Sequence, residues 1–230
     1  MGLCLTGQYH LTGYMSEFAR YRGTLRLRER WLCLELCNTT VDWHASEHPV
    51  EHLQGYSDLV AWGEEVGLLG THASRKLDAL AAQAPKRAAE ALSRLLNLRE
   101  ICYRTFAEVA HRRTPLAGDV AALNRFLARS LSAAAVTAAG DGFIWSWQVM
   151  DLDWALWPVA RSAADLLTSD ELARVGQCAD DRGCGWLFID TTRSRRRRWC
   201  SMESCGNRAK QRRHLQRERL GRARRGLGIP

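Results

Sequence analysis

The stretch CADDRGCGWLFIDTTRSRRRRWCSMESCGNR, residues 178–208, decides the fold of the C-terminal part of this 230-residue chain. It contains two cysteine pairs, Cys178 with Cys184 and Cys200 with Cys205, which enclose a hydrophobic segment and a run of arginines. Four thiolates hold zinc tetrahedrally in closed sites, and these sites are structural because no position stays open for water. The pattern therefore predicts one structural Zn²⁺ with these four cysteines as its ligands.

The spacing within the pairs leaves a second interpretation open. Five residues separate the first pair and four separate the second, and both spacings are wider than the common two-residue zinc knuckle. Buried or unpaired thiols are the alternative.

The segment between the pairs predicts a hairpin. WLFID, residues 186–190, indicates one strand, TTRSRR makes the bend, and RRWC, residues 197–200, returns to the second pair. Alternation along the strand puts Trp186 and Phe188 on one face and Leu187 and Ile189 on the other. Beyond Cys205, Gly206 frees the backbone to turn back toward the metal and Asn207 is predicted to cap a helix.

Charge is divided unevenly along the chain. Residues 191–230 hold 14 of the 33 Lys and Arg but 2 of the 25 Asp and Glu, a net charge of +12, whereas the remainder carries −4. A basic end on a mildly acidic chain favours phosphate-rich partners, with nucleic acid the first candidate and anionic membrane the second. The predicted nucleic-acid contacts are Arg193, Arg195, Arg196, Arg197, Arg198, Arg208, Lys210, Arg212, Arg213 and Arg217.

Composition and apolar runs indicate a globular cytoplasmic chain. No apolar run approaches the roughly 20 residues that cross a bilayer, and the first 15 residues lack the features of a signal peptide. In a reducing compartment the eight cysteines do not form a disulfide framework, so paired cysteines indicate metal ligands. The other four, which lie among apolar neighbours, are interpreted as small buried hydrophobic residues: Cys4, Cys33, Cys37 and Cys102.

Hydrophobic periodicity assigns the rest of the chain, apart from residues 1–22. TLRLRERWLCLELCN, residues 24–38, alternates and predicts a hairpin or two short strands, and GFIWSWQV, residues 142–149, predicts one strand. Helices are predicted from an N-cap at Ser57 to Gly67, over 74–83, from Pro85 through Phe106, over 117–135, over 153–167, and from Thr168 or Ser169 to about Val175. Pro158 lies inside the helix over 153–167, where it is unstrained only in the first turn or at a kink.

Two stretches resemble known families. WCSMESCGNRAKQRRH, residues 199–214, resembles the signature of the CGNR zinc finger, and CGWLFID, residues 184–190, is also similar to that family. LCLELCNTTVDWHAS, residues 32–46, followed by YSDLVAWGEEVGLL, residues 56–69, resembles the start of the ABATE domain, a stress-induced transcriptional regulator. The first cysteine pair has one intervening residue more than this family's usual four, and Gly183 can absorb it because glycine tolerates positive φ.

The predicted fold is α+β. A mainly helical N-terminal domain with a few short strands precedes a small zinc-bound hairpin–helix module. The predicted units are an N-terminal extension over 1–22, an ABATE-like domain over 23–173, a CGNR zinc finger over 174–218 and a basic tail over 219–230. Because the N-terminal part has its own apolar periodicities, removal of the metal is expected to unfold only the region after about residue 176.

The resemblance implies a DNA-binding transcriptional regulator in which the N-terminal domain senses or dimerises. Its candidate partners are duplex DNA, an unidentified small-molecule effector and a second copy of the chain, with no membrane. An RNA-binding protein and a zinc-stabilised protein-interaction module are the alternatives. An enzyme is not expected, because no nucleophile with a base, no glycine-rich phosphate loop and no paired catalytic carboxylates stand out.

Two further groups of residues carry alternative interpretations. A small-molecule pocket could be lined by four tryptophans, Trp145, Trp147, Trp154 and Trp157, although core packing is the preferred explanation. The polar set Asn38, Thr39, Asp42 and His44 could line a site, although a structural turn is preferred.

Overall fold

The computed structural model describes residues 31–41, 43, 50–147, 151–180 and 183–226, and the fold is given for these residues. The helices are α1 Leu32–Cys37, α2 Tyr56–Glu65, α3 Thr71–Gln83, α4 Pro85–Ala110, α5 Ala117–Ala133, α6 Leu156–Leu167 and α7 Asn207–Gly226. The strands are β1 Thr40–Val41, β2 Val50–Glu51, β3 Ala134–Ala139, β4 Gly142–Trp147, β5 Val175–Gln177 and β6 Leu187–Ile189. They form three antiparallel pairs, β1–β2, β3–β4 and β5–β6. The predicted α+β class with a mainly helical N-terminal part is confirmed.

Helix α4 is the centre of the larger core. It begins at Pro85, as predicted, because proline has the helical φ and lacks only an N–H that would be unpaired in the first turn. Leu95, Leu98 and Phe106 lie on its apolar face and are almost completely buried. Helices α1, α2, α5 and α6 and strand β5 pack against it. A single long helix therefore organises both the N-terminal region and the first strand beside the cysteines.

The predicted hairpin over residues 24–38 is wrong where the structure describes it. Leu32–Cys37 is a short helix with five of its six residues buried. Its leucines alternate with Cys33, Glu35 and Cys37, all of which are buried, so the alternation does not mark a buried and an exposed face. A short run that is buried on all sides does not separate a helix from a strand. The part of the prediction that includes Leu25 and Leu27 lies outside the described residues.

The other helix predictions hold with shifts at their ends. Helix α2 is capped at Gly55, whose N–H donates to the Asp58 carboxylate at 2.8 Å, so Ser57 lies inside the helix and the predicted cap is wrong. Gly67 follows that helix with a φ of 74°, as a C-terminal glycine should. Pro158 lies in the first turn of α6, and Ser169 caps the 3₁₀ turn Asp170–Arg174.

One hairpin partner was missed in the sequence. Strand β4 confirms the strand predicted over 142–149 as far as Trp147, and residues 148 and 149 lie outside the described residues. Its partner β3 was assigned in part to the preceding helix, which ends at Ala133. Gly140, with a φ of 56°, is the first of two turn residues between the strands. Alanine-rich residues carry no strand signal of their own, so only the turn could have indicated β3.

The strand predicted between the cysteine pairs is present, but its pairing is not the predicted one. Strand β6 pairs with β5, which precedes the first cysteine, rather than with residues 197–200. The two faces of β6 are as predicted. Leu187 and Ile189 belong to the large core, whereas Phe188 packs with the four cysteines, so one strand is shared by two clusters of buried residues.

No helix in the described parts of the chain is long and apolar enough to cross a membrane.

Candidate zinc centre and basic surface

The four predicted cysteines converge on one point. Their sulfur atoms all lie within 4.8 Å of one another, and each residue is at most 6% exposed. Cys184 Sγ is 3.8 Å from Cys200 Sγ, and Cys200 Sγ is 3.6 Å from Cys205 Sγ. A tetrahedral zinc ion with bonds of about 2.3 Å requires sulfur atoms about 3.8 Å apart. The donor set and its geometry therefore fit a closed four-thiolate zinc site.

The acid–base state of the cluster points the same way. Hydrogen bonds among the four thiols shift their pKa values in opposite directions. The pKa of Cys178 is lowered by its contacts with Cys184, Cys200 and Cys205, whereas the pKa of Cys184 is raised by its contacts within the same cluster. Sulfur atoms this close cannot all be thiolates without a cation between them, because their negative charges repel. A divalent ion supplies that charge, and its binding displaces the remaining protons.

The first cysteine turn depends on backbone geometry. The Cys178 amide donates to the Trp186 carbonyl at 2.8 Å, which continues the β5–β6 pairing up to the first ligand. Gly183 has a φ of 99° just before Cys184. The positive φ expected at Gly183 is confirmed, and its role in absorbing the extra residue of this turn stays a prediction.

The second turn is built differently from the prediction. Ser201 caps it, since its hydroxyl accepts from the Ser204 amide at 3.4 Å, and a π-helical turn over Met202–Gly206 follows. Asn207 is therefore the first residue of α7 rather than its cap, and its side chain donates to the Glu203 carbonyl at 3.2 Å. Gly206 has no positive φ. It matters because a Cβ there would lie 2.8 Å from the Met202 sulfur.

Helix α7 is fixed to the first turn by Asp180. The side chain of Asp180 is completely buried, and its carboxylate forms an ion pair with Arg208 at an N···O distance of 2.8 Å and accepts a hydrogen bond from Arg212 at 2.7 Å. Arg208 also lies 2.8 Å from the Cys205 sulfur. Arginine beside a zinc-bound thiolate offsets its negative charge. Both arginines thus connect the two cysteine turns to each other and to the helix.

A second acidic residue organises the arginine loop, residues 191–198. Asp190 accepts from the Thr192 hydroxyl at 2.6 Å and amide at 2.9 Å, and from the Arg197 amide at 2.9 Å. Burial raises the pKa of Asp190, but these hydrogen bonds outweigh burial, so the pKa lies below its usual value. Arg197 in turn donates to the Ile189, Trp199 and Cys200 carbonyls and lies over the Phe188 ring at 4.3 Å.

The ten predicted nucleic-acid contacts divide into two groups. Three are half-buried and bound within the module, namely Arg197, Arg208 and Arg212. Seven are exposed, namely Arg193, Arg195, Arg196, Arg198, Lys210, Arg213 and Arg217. Arg198 and Arg213 lie over Trp199, at 5.3 and 5.8 Å from the ring centroid, which brings the arginine loop next to the first turns of α7. The exposed group therefore forms one basic surface from two segments.

The zinc module is joined to the N-terminal core by hydrogen bonds from backbone and side chains. Asn38 donates to the Leu187 carbonyl at 2.9 Å and accepts from the Leu187 amide at 3.0 Å. The Trp186 indole donates to the Thr40 carbonyl at 2.7 Å, and the Trp43 amide donates to the Cys184 carbonyl at 3.3 Å. The ligand turn is thus attached directly to the segment that follows α1.

Two aromatic rings complete this junction. Trp43 stacks on Tyr103 with ring centroids 3.8 Å apart. The Tyr103 hydroxyl donates to the Gly185 carbonyl at 2.9 Å and accepts from Gln177 at 2.8 Å. Helix α4 therefore reaches both the first ligand turn and strand β5 through one side chain.

The structure also resolves the two groups with alternative interpretations. Asn38 and Thr39 are structural: Asn38 pairs with Leu187 as above, and Thr39 accepts from Arg99 at 2.9 Å. Asp42 and His44 lie outside the described residues. Trp154 is buried in the core and Trp157 packs against it, whereas Trp145 is 48% exposed with Arg161 over its ring. Core packing thus explains Trp154 and Trp157 but not Trp145, and the side chain of Trp147 lies outside the described part of the structure.

Comparison with known families agrees with this architecture. The ABATE family, described as "Putative stress-induced transcription regulator", matches residues 31–170. The CGNR zinc finger matches residues 174–218. Both matches occur in the order that the sequence resemblance implies. A search of the curated proteins finds no match.

Proposed function

This chain belongs to the ABATE family and ends in a CGNR zinc finger, and from that premise we propose that it is a DNA-binding transcriptional regulator. In this proposal the zinc ion is structural and the basic surface of the finger contacts duplex DNA. The N-terminal region acts as the sensing or dimerising part. The observation that carries the proposal is the exposed group of seven basic residues on the arginine loop and α7.

The arrangement of charge supports a polyanion as the partner. Helix α7 carries cationic residues around its circumference and a single acidic residue, Glu218. Like charges at i,i+4 destabilise an isolated helix, so this helix gains stability when phosphates supply the opposite charge. Three arginines already have partners within the finger, whereas the seven basic residues of the exposed group face solvent.

Zinc has an architectural role in this proposal. Asp180 and Arg208 link the first cysteine turn to α7, and the helix starts directly after the second turn. The ion joins the two turns, so it sets the direction in which α7 leaves the module. DNA affinity is then expected to require zinc even though the ion is buried away from the basic surface.

The buried cysteines of the N-terminal core give no support to an enzymatic role, and we propose that the chain is not an enzyme. Burial raises the pKa of Cys33 to about 12 and places the pKa values of Cys37 and Cys102 well above the usual thiol value. A thiol with a raised pKa is a poor nucleophile because the thiolate is the reactive form. These three residues are instead small members of the core.

The alternatives draw less support from the geometry. Single-stranded RNA binding would use exposed aromatic rings for base stacking. Trp186 is half-buried and donates to the Thr40 carbonyl, and Trp199 is half-buried with two arginines over its ring. A protein-interaction module would present an apolar patch. Within the described part of the finger, Met202 and Leu215 are the large apolar residues that are clearly exposed.

The salt dependence of DNA affinity tests the proposal. If about five to seven exposed side chains neutralise phosphates, log K should fall against log salt concentration with a slope of roughly −4 to −6 on duplex DNA. Substitution of the exposed pair, R195A with R196A, should lower the magnitude of that slope by about two and weaken all sequences alike. A single-stranded RNA of equal length serves as the competitor that distinguishes the RNA alternative.

The control is a matched pair on the acidic N-terminal region, R75A with K76A on α3, which should leave the slope unchanged. Both variants must keep their zinc, measured by elemental analysis. A slope that R195A and R196A do not alter, or equal affinity in a chain truncated after Asp190, would contradict the assignment of the basic surface.

A further inference from the structure

The β3–β4 hairpin presents an apolar face to solvent. Strand pairing places Val136 opposite Trp145 and Ala138 opposite Phe143, so these side chains share one face. The exposed fractions are 60% for Val136, 76% for Phe143 and 48% for Trp145. Leu131, near the end of the helix that leads into β3, is also 48% exposed. These five residues, from Leu131 to Trp145, define the hairpin face.

This face is unusual in its lack of charge. From Ser130 to Met150 the sequence contains one charged residue, Asp141, although a quarter of the whole chain is charged. Arg161, whose guanidinium lies over the Trp145 ring, is ion-paired with Asp165 and therefore adds no net charge to the face. A face without net positive charge has no attraction for a polyanion, so it lies outside the nucleic-acid surface. The hairpin is also a two-stranded sheet, and such a sheet is only marginally stable in water without further packing.

We propose that the hairpin face is the interface through which two copies of this chain form a twofold dimer. An isologous interface must be complementary to itself, and a neutral apolar face meets its own copy without charge repulsion. A strongly charged partner would gain nothing from this surface. The second copy is the partner that the composition of the face fits best.

The size of the face agrees with the requirement of a dimer. A standard interface buries about 800 Å² on each partner, of which about 60% is apolar, or about 480 Å². The exposed fractions given above, applied to side chains that each present roughly 100–250 Å² when fully exposed, amount to roughly 500 Å² for the hairpin face. Polar residues at the rim, such as Asp141, would supply the remainder.

The dimer also has a consequence that rests on the proposed function. Two chains related by a twofold axis carry two basic surfaces, and a twofold DNA-binding protein reads two inverted half-sites. The dimer itself is tested without DNA, so its failure and the failure of DNA binding are separate results.

Sedimentation or light scattering of the zinc-loaded full chain at micromolar concentration is the test. The expected mass is twice the 26.0 kDa of one chain. F143D should raise the dimer dissociation constant at least about tenfold, because a carboxylate would be buried without a partner. The matched control is L80D on α3, where the leucine is 38% exposed and lies outside the hairpin face, and it should remain dimeric.

Circular dichroism and zinc content must match those of the parent chain in each variant. V136K is the second interface variant and supplies the result if F143D does not fold. A monomeric parent chain at about 100 μM would overturn the proposal, because another part of the chain or a different partner would then cover the face. A dimer that survives both F143D and V136K would overturn it as well, since the interface would lie elsewhere.

Discussion

The N-terminal core and the zinc module are stabilised in different ways. The core buries large side chains such as Trp62, Phe106 and Leu98 around one long helix. The cluster at the zinc site consists of four cysteines and Phe188, with Trp186 and Trp199 packed against it. A cluster of that size cannot offset the conformational entropy of its own chain. The module therefore needs two outside contributions, the metal ion and the core with which it shares strand β6.

The largest expected effect is loss of the metal. Purified chain should contain close to one zinc, and the C200S, C205S double variant should contain little or none. Structural zinc contributes on the order of 10–16 kcal/mol of binding energy in finger peptides, and that energy is folding energy for the module. Elemental analysis and hydrogen exchange over residues 178–208 measure both effects. Full zinc content in the double variant would contradict the ligand assignment.

Substitutions on the two faces of β6 should separate the two regions. L187A removes a side chain from the N-terminal core and should cost about 2–5 kcal/mol in the free energy of unfolding of the helical region. F188A removes a side chain from the zinc cluster and should lower the stability of the zinc module by about 3–5 kcal/mol. This loss should be seen chiefly as faster release of zinc. Chemical denaturation followed by circular dichroism and zinc release to a chelator distinguish the two. Equal effects of both variants on both readouts would contradict the two-faced role of the strand.

The hydrogen bonds of Asn38 give a smaller effect on the same junction. N38A leaves the Leu187 amide and carbonyl without their partner, and each unpaired buried group costs about 1–3 kcal/mol. We expect a total loss of about 2–4 kcal/mol in the free energy of unfolding, together with faster zinc release. Q54A is the matched control, because Gln54 carries an exposed side-chain amide, and it should change neither quantity. Parent-like stability and zinc release in N38A would show that this junction does not couple the two regions.

The smallest effect is a pH dependence within the N-terminal region. Both carboxylate oxygens of Glu65 are buried and find no hydrogen-bond partner among the described residues, and burial raises the pKa of Glu65 to about 7. Because the folded pKa lies above the unfolded one, the unfolded chain loses this proton first as the pH rises. Stability should therefore fall by about 1–2 kcal/mol between pH 5 and pH 8.

Denaturation of E65Q at both pH values isolates that contribution. The glutamine side chain does not titrate, so the difference in stability between pH 5 and pH 8 should shrink by about 1–2 kcal/mol relative to the parent chain. E64Q, at an exposed neighbouring position, is the control and should retain the parent pH dependence. An unchanged pH dependence in E65Q would show that Glu65 is not the group responsible.

Residue patterns predicted those parts of the molecule that short-range chemistry determines. The cysteine ligands, the faces of β6, the first turn of α4 and the positive φ of Gly183 all follow from local rules. Helix α1 was mistaken for a strand because its leucines alternate, whereas five of its six residues are buried and the alternation therefore marks no exposed face. Strand β6 pairs with β5, a segment of three residues on the other side of the first cysteine turn, and no local pattern specifies that pairing.

The acidic residues at the site were missed for a related reason. Asp180 and Asp190 lie in sequences that contain several polar residues. The partners of Asp180 are arginines 28 and 32 residues further along the chain, and the partner of Asp190 is an arginine 7 residues further along. Their signal was nevertheless present, because acidic residues within a strongly basic module are natural partners for arginine. Likewise, Asn38 could be assigned to a turn from the sequence, but its pairing with β6 spans 149 residues.

The expectation that the two regions unfold independently does not take the shared strand into account. Val175, Leu187 and Ile189 are almost fully buried in the N-terminal core, although they flank the first ligand turn. Each such side chain contributes about 1.5–3 kcal/mol when buried. If loss of zinc releases β5 and β6, the helical core loses roughly 5–9 kcal/mol of apolar burial. Removal of the metal should then lower the stability of the helical core as well as that of the finger.

Thermal unfolding of the helical core, with and without a zinc chelator, tests this coupling most directly. Helical circular dichroism reports mainly on the N-terminal region, since α2 to α6 lie there. At about 2–4 °C per kcal/mol for a chain of this size, the coupling predicts that the chelator lowers the helical midpoint by at least about 10 °C. A midpoint that stays unchanged while zinc is fully removed would contradict the shared core and show that the two regions fold independently.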